Sequence, residues 1–226
     1  MNHSLFFARI ITAQLMEEII MTDELITRFA TVPTTAVSDA TGGMNNMDPA
    51  LKPLREEYRI AGRAVTVKLP AGDNPAMLRA MRTASPGDVL VVDAKGDLTK
   101  AVAGDFVVGM MQTLGLAGLV VDGAIRDVRD IKALGFPVFV RGTTVAASSK
   151  TGAGEVNVPV SCGGVTVRPG DLVIGDADGV TVVPHEQEQE VLQGALAKLE
   201  KDEEREREVA GDIDAVRRYL DKVANK

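Results

Sequence analysis

The stretch VVDGAIRD, Val120 to Asp127, sets an arginine and an aspartate side by side immediately after a branched apolar run. Such a run reads as a buried strand, expected to end at Asp122 with Gly123 supplying a tight turn. Arg126 and Asp127 would then stand at the carboxyl end of that strand, where open α/β sheets bind their ligands. Arg126 offers a planar fork of donors to a carboxylate or an enolate oxygen, and Asp127 offers hard oxygens suited to magnesium or manganese. Adjacent, they could hold one chelated oxo acid. The motif alone also allows a second reading, in which the pair caps a helix beginning near Val128.

A second constellation is AGDFVV, where Gly104 lets a ligand approach the backbone and the amides of Gly104, Asp105, Phe106 and Val107 open a helix. A helix start of this kind is a natural seat for a carboxylate, and Asp105 could hold a catalytic water. Gly-Asp is equally a routine helix cap, so this motif too stays open on its own. A third, GDNP at Gly72 to Pro75, is a turn by composition with Asn74 as a ligand-facing amide. Other chemistries lack their residues. The two histidines, His3 and His185, sit beside neither a nucleophile nor a second ligand, which argues against a catalytic triad or a His-rich zinc site. Cys162, the one cysteine, has no histidine partner in the sequence and reads as a small buried thiol.

The elements that must position these groups alternate. GRAVTVKLP reads as a strand, AGDNPAMLRAMRTA as a turn and helix, PGDVLVVDAKG as a strand over Val89 to Val92, AVAGDFVVGMMQTLG as a helix, and LAGLVVDGA as a strand over Leu119 to Val121. DIKALGFPVFVRG adds a helix and a strand, and Val156 to Val183 is strand-rich with Gly-Gly and Pro-Gly-Asp turns. This order predicts an α/β sheet. Before it, Thr22 to Phe29 and TTAVSDATGG read as helices at the rim of the fold. After it, His185 to Lys226 is charged and helix-favouring, with Gln189, Val191, Leu192, Leu196 and Leu199 as an apolar stripe for packing on a neighbouring subunit. PGDLVIGD echoes PGDVLVVD, which similar turn chemistry explains without a duplication.

A chain of 226 residues with 45% hydrophobic content can bury one full core. Its formal charge of −7, with no basic run interleaved with aromatics, argues against nucleic acid as a direct partner. Residues 1–20 mix apolar residues with Arg9, Glu17 and Glu18 and lack a signal-peptide cleavage pattern; they are expected to form an accessory helix or to precede a natural start at Met21. No segment reaches the roughly 18 apolar residues of a membrane span. With a single cysteine, a cytoplasmic setting is expected.

In order along the chain, GDN, PGDVLVVD, AVAGDFVVG, GLVVDGAIRD and VNVPVSCGGVTVRPGDLVIGDADGVTVVP resemble the RraA-like superfamily, from about Thr22 to the end. That superfamily includes the 4-hydroxy-4-methyl-2-oxoglutarate and 4-carboxy-4-hydroxy-2-oxoadipate aldolases, whose members also decarboxylate oxaloacetate, and the RraA regulators of ribonuclease E. The resemblance implies a swivelling β/β/α-like fold with an N-terminal helical segment and a C-terminal helical arm, assembled as homotrimers or homohexamers with sites between subunits. It divides the chain into an extension (1–21), an RraA-like domain (22–184) and the arm (185–226).

By the same resemblance, Arg126 and Asp127 bind the oxo acid and a Mg2+ or Mn2+ ion, the Gly104 to Val107 amides bind the substrate carboxylate, and Asp105 carries over as the acid that follows. Asp39 and one of Asp202 and Glu203 correspond to acids that reach a neighbouring subunit's site. The loop from Thr143 to Glu155 is expected to shape the distal pocket. The implied activity is a metal-dependent lyase releasing pyruvate. The alternative is a ribonuclease-binding regulator without chemistry; regulators of that kind resemble a shorter chain ending soon after Val180 to Val183. A methyltransferase reading has no Gly-rich strand-turn-helix fingerprint to support it.

Overall fold

The computed structural model describes residues 24–224; the N-terminal segment on which the start at Met1 or Met21 turns lies outside them. Helix α1 is described over residues 24–29 and leads through Pro33 into α2 (Thr34–Ala40). After β1 (Lys52–Pro53) comes the alternating unit: β2 (Ile60–Lys68), α3 (Pro75–Met81), β3 (Val89–Ala103), α4 (Asp105–Thr113), β4 (Gly118–Ile125), α5 (Val128–Leu134) and β5 (Val138–Thr143). Then follow β6 (Glu155–Val156), β7 (Val160–Cys162), β8 (Val165–Val167), β9 (Leu172–Asp176) and β10 (Gly179–Val183), and after a single 3-10 turn the helices α6 (Glu188–Val209) and α7 (Ile213–Ala224).

The main sheet runs β1-β5-β4-β3-β2-β9-β10, with β2 to β5 mutually parallel and the rest antiparallel, and β6 added along β2. Helices α3, α4 and α5 connect successive parallel strands, as parallel pairing requires. Both faces of the sheet are covered. Met77, Met81, Val108, Met111 and Ile131 pack on one side with Leu90, Val92, Leu119 and Val121, while Leu51, Phe139, Val160, Val167 and Val91 close the other. That is why β4 is buried at every position and reads as a continuous apolar run.

Three expectations need correction. β4 does not end at Asp122 but continues to Ile125, so Gly123 lies inside the strand. A Cβ there would come within 2.7 Å of the Ala94 Cβ, and close packing, not a turn, explains this glycine. The first helical region is core, not rim: Phe29, Val32 and Val37 are essentially fully buried, in one cluster with Leu172, Val183 and Leu192. The cluster also shows where the C-terminal arm goes. The first turns of α6 pack on α2 and the sheet of their own chain, through Glu188, Val191, Leu192 and Ala195, whereas Gln189 and Leu196 face outward. Burying a Leu192-sized side chain contributes roughly 2 kcal/mol. Glu188 fixes the register, accepting a two-pronged pair from Arg63 of β2.

Candidate functional site

β3 positions the first half of the site. It pairs residue for residue with β4 from Val89 to Asp93, then bulges outward and rejoins at Ala101↔Ala124 and Ala103↔Ile125. The rejoined end delivers Gly104 beside Arg126, whose backbone N–H donates to the Ala103 carbonyl at 3.0 Å. A Cβ on Gly104 would stand 2.3 Å from Asp127 Oδ2 and 3.4 Å from Arg126 Nε, so any other residue here would displace the carboxylate from where it stands. Gly104 is the N-cap of α4, and Asp105 lies in its first turn; no side chain caps the helix, leaving its opening amides available.

Asp127 holds the N-cap position of α5 in a left-handed backbone conformation (φ 59°, ψ 37°), and its side chain makes no cap hydrogen bond. Outside glycine this conformation costs about 1–2 kcal/mol, less for aspartate than for bulkier residues. The carboxylate turns instead to Arg126, with Nε and Oδ2 3.3 Å apart. Both side chains stay partly exposed, between a cleft of about 240 Å³ on the α4 side and a second hollow on the β5 side lined by Thr143, Thr144 and Val145. The capping reading of the pair therefore has no hydrogen bond to stand on.

The cleft gathers residues scattered through the sequence: Asn74, Gly104, Asp105, Phe106, Val107, Arg126 and Asp127 all line it. Asn74 is buried; its Nδ2 donates to the Val102 carbonyl at 3.1 Å, and its Oδ1 has no partner among the described residues. A buried acceptor left open at a cleft wall is a place for a ligand donor or a water. Phe106 is 75% exposed, between this cleft and an apolar groove lined by Leu78, Met110 and Leu114.

Ala147, Ser148 and Lys150 form the remaining wall. Among the described residues, the Lys150 side chain makes no hydrogen bond or ion pair. Only the loop from Thr143 to Glu155 as a whole was legible, because a lone lysine in SSKTGAG carries no spacing signal. Asp39 and both candidates for the second acid expected in a neighbouring subunit, Asp202 and Glu203, lie outside the cleft of their own chain. Asp39 and Asp202 are nevertheless brought together, each paired with Lys198, at 2.9 and 2.6 Å. Glu203 pairs along its helix with Arg207 at 3.1 Å.

Cys162 is fully buried beside the Val92 carbonyl, and burial pushes its thiol far above the ordinary value, so it is no nucleophile. Among the described residues no three histidine, cysteine or acidic side chains cluster as a ready-made metal cage, and no helix is long and apolar enough to cross a membrane.

The Aldolase/RraA family model, RraA-like, matches residues 34–182. A protein of Halalkalibacterium halodurans that carries the provisional name 4-hydroxy-4-methyl-2-oxoglutarate aldolase is 59% identical over 200 residues, covering 88% of this chain and 95% of its own length. RraAS2 of Streptomyces coelicolor, described as an unusual member of the RNase ES inhibitor RraA protein family, superposes with a TM-score of 0.70 at 30% identity, over 80% of this chain and 94% of that one. The RNA-processing inhibitor RraA from Thermus thermophilis superposes with a TM-score of 0.62 at 32% identity, over 67% of this chain and 92% of that one. With a cleft built from the AGDFVV and DGAIRD motifs and likenesses that span its sheet, this chain belongs to the RraA-like family.

Proposed function

We propose that this protein is a divalent-metal-dependent lyase that cleaves 2-oxo acids of the 4-hydroxy-4-methyl-2-oxoglutarate type to pyruvate and decarboxylates oxaloacetate, working as a homotrimer or homohexamer. The observation that carries the reading is the convergence of Arg126, Asp127 and the uncapped first turn of α4 on one cleft of about 240 Å³, a size that suits a small oxo acid. The relative that carries the aldolase name supports this reading, being 59% identical over 88% of the chain.

The donor set fits a small hard cation. Magnesium keeps several waters and takes one or two protein carboxylates together with ligand oxygens. Asp127 would hold it, with Asp105 lining the same cleft. Two cations, Arg126 and Lys150, and two carboxylates face the space, so their formal charges cancel, and a dianionic oxo acid calls for additional positive charge. When bound, the metal supplies Lewis-acid polarisation of the C2 carbonyl.

The chain's own groups do the rest. The α4 amides bind the C1 carboxylate, and Arg126 aims its fork at the C2 oxygen, where negative charge gathers. When the C3–C4 bond of oxaloacetate breaks, its electrons move into the C2–C3 bond and carbon dioxide departs. A proton delivered to C3 by water held at Asp105 then yields pyruvate. Retro-aldol cleavage shares the same enolate, with the aldol hydroxyl losing its proton.

Pyruvate release, coupled to a pyruvate reductase, tests the reading with oxaloacetate and with 4-hydroxy-4-methyl-2-oxoglutarate, each with magnesium or manganese and again with chelator. Chelator-sensitive turnover above the metal-only background is expected. Release of pyruvate from neither substrate would sink the lyase reading and favour a ribonuclease-binding regulator.

A further inference from the structure

The cleft wall made by Ala147, Ser148 and Lys150 belongs to a loop that crosses the carboxyl ends of the parallel strands. It is tied at three places. Thr144 N–H donates to the Ile125 carbonyl at 2.9 Å and Ala101 N–H to the Ala146 carbonyl at 2.8 Å, which fixes its first half against β3 and β4. Ser149 bonds the Gly72 carbonyl through both its N–H, at 2.7 Å, and its hydroxyl, at 2.8 Å. Just beyond Lys150, one carboxylate takes three bonds: Asp73 accepts from Thr151 N–H at 2.9 Å, Thr151 Oγ1 at 2.7 Å and Gly152 N–H at 3.1 Å.

Asp73 is only 1% exposed, yet among the described residues no arginine or lysine pairs with it. A buried carboxylate is costly unless its oxygens are fully engaged, and here the loop, with the Asn74 backbone N–H of its own turn, engages them. Apart from an isolated bridge between Ser149 and Asp73, residues 148–152 belong to no strand or helix and have little burial, so their place is set by these bonds rather than by packing. Arg79 adds two more ties further on, to the carbonyls of Gly152 and Gly154.

We propose that Asp73 is a positioning residue for the cleft: it clamps the 148–152 strap so that Ser148 and Lys150 face the site opposite Arg126, and so governs affinity for the anionic substrate. Asp73 touches no reacting atom and acts through Lys150. Its neighbour Asn74, whose buried Oδ1 has no partner among the described residues, lines the same cleft, so a single turn sets both walls. The assignment rests on the lyase reading given above.

Lys150 makes the clamp measurable twice, because trypsin cleaves after it. The experiment compares full-length wild type, Asp73→Asn and Thr151→Val by the initial rate of tryptic cleavage between Lys150 and Thr151, followed by mass spectrometry, and by KM and kcat for oxaloacetate with magnesium. Asp73→Asn is expected to raise both the cleavage rate and KM about 10-fold, the factor for losing roughly one charge-assisted hydrogen bond, with kcat within about threefold of wild type.

Thr151→Val keeps the carboxylate and removes one donor, so it should shift both readouts in the same direction by less; it also decides the matter should Asp73→Asn fold poorly. Wild-type cleavage and wild-type KM in the variants would overturn the clamp. Faster cleavage with unchanged KM would overturn the positioning role, and a raised KM with unchanged cleavage would overturn the strap as its means. Absence of turnover in the wild type would instead sink the reading of the cleft, and the role given to Asp73 with it.

Discussion

Asp122 and Asp127 belong to one motif, and each has an arginine beside it, yet their surroundings are opposite. Asp122 sits inside β4 with both oxygens engaged, Oδ1 by Arg141 Nε at 2.5 Å and Oδ2 by the Gly163 N–H at 2.8 Å. Arg141 reaches on to Asp48 at 2.9 Å, and the hydrogen bond to Asp122 first, opposed by burial, raises its already high pKa. Asp127 stands just past the strand with a left-handed backbone, one contact to Arg126 at 3.3 Å, and open space on either side. The same side-chain types build a closed structural pair in one place and an open one in the other. A saturated pair locks strands together, whereas an unsaturated pair held by a strained backbone keeps its donors for a ligand.

The contrast is tested most severely at Arg126. Arg126→Ala should lower kcat/KM for oxaloacetate by about 10³-fold or more, the upper range for losing one donor to a developing oxyanion, while the melting temperature moves by no more than about 2 °C. Retained turnover with a large loss of stability would reverse the roles of the two pairs. Gly104→Ala comes next, since its Cβ must push aside the Asp127 carboxylate; a fall of about 10²-fold in turnover is expected, with a higher magnesium requirement in a metal titration. Asp122→Ala should show the opposite signature, about 2 kcal/mol less stable in urea unfolding because the partly buried Arg141 loses one of its two carboxylates and the Gly163 N–H loses its acceptor, and with turnover at low temperature within about threefold of wild type.

The sheet was legible because its strands are buried on both faces and its helices amphipathic, so periodicity and turn residues were enough. The cleft was legible wherever the backbone itself takes part: Gly104 and the Asp127 that follows a strand end are local facts of sequence. Gly123 was misread because a glycine serving close packing and a glycine serving a turn look alike until Ala94 is placed beside it. The α1–α2 region was misread as rim because the side chains that bury it come from β9, β10 and α6, far along the chain. Asp73 and Lys150 escaped for the same reason: their meaning lies in hydrogen bonds spanning more than seventy residues, which no spacing rule predicts.

The smallest expected effect lies at the outer edge of the closed pair, at Asp48. Its carboxyl is held below the ordinary aspartate value, first by the Ala50 backbone N–H at 2.8 Å, then by Arg141, against a smaller opposing effect of burial. A depressed folded-state pKa adds stability that is fully present above the unfolded aspartate pKa and is lost as pH falls through the folded value. Asp48→Asn should therefore melt slightly below wild type near about pH 6, and the gap should close on acidification toward about pH 2. A gap that stayed constant across that range would mean that neither the Ala50 N–H nor Arg141 favours the ionised Asp48 carboxylate, and that the closed network ends at the Asp122–Arg141 pair.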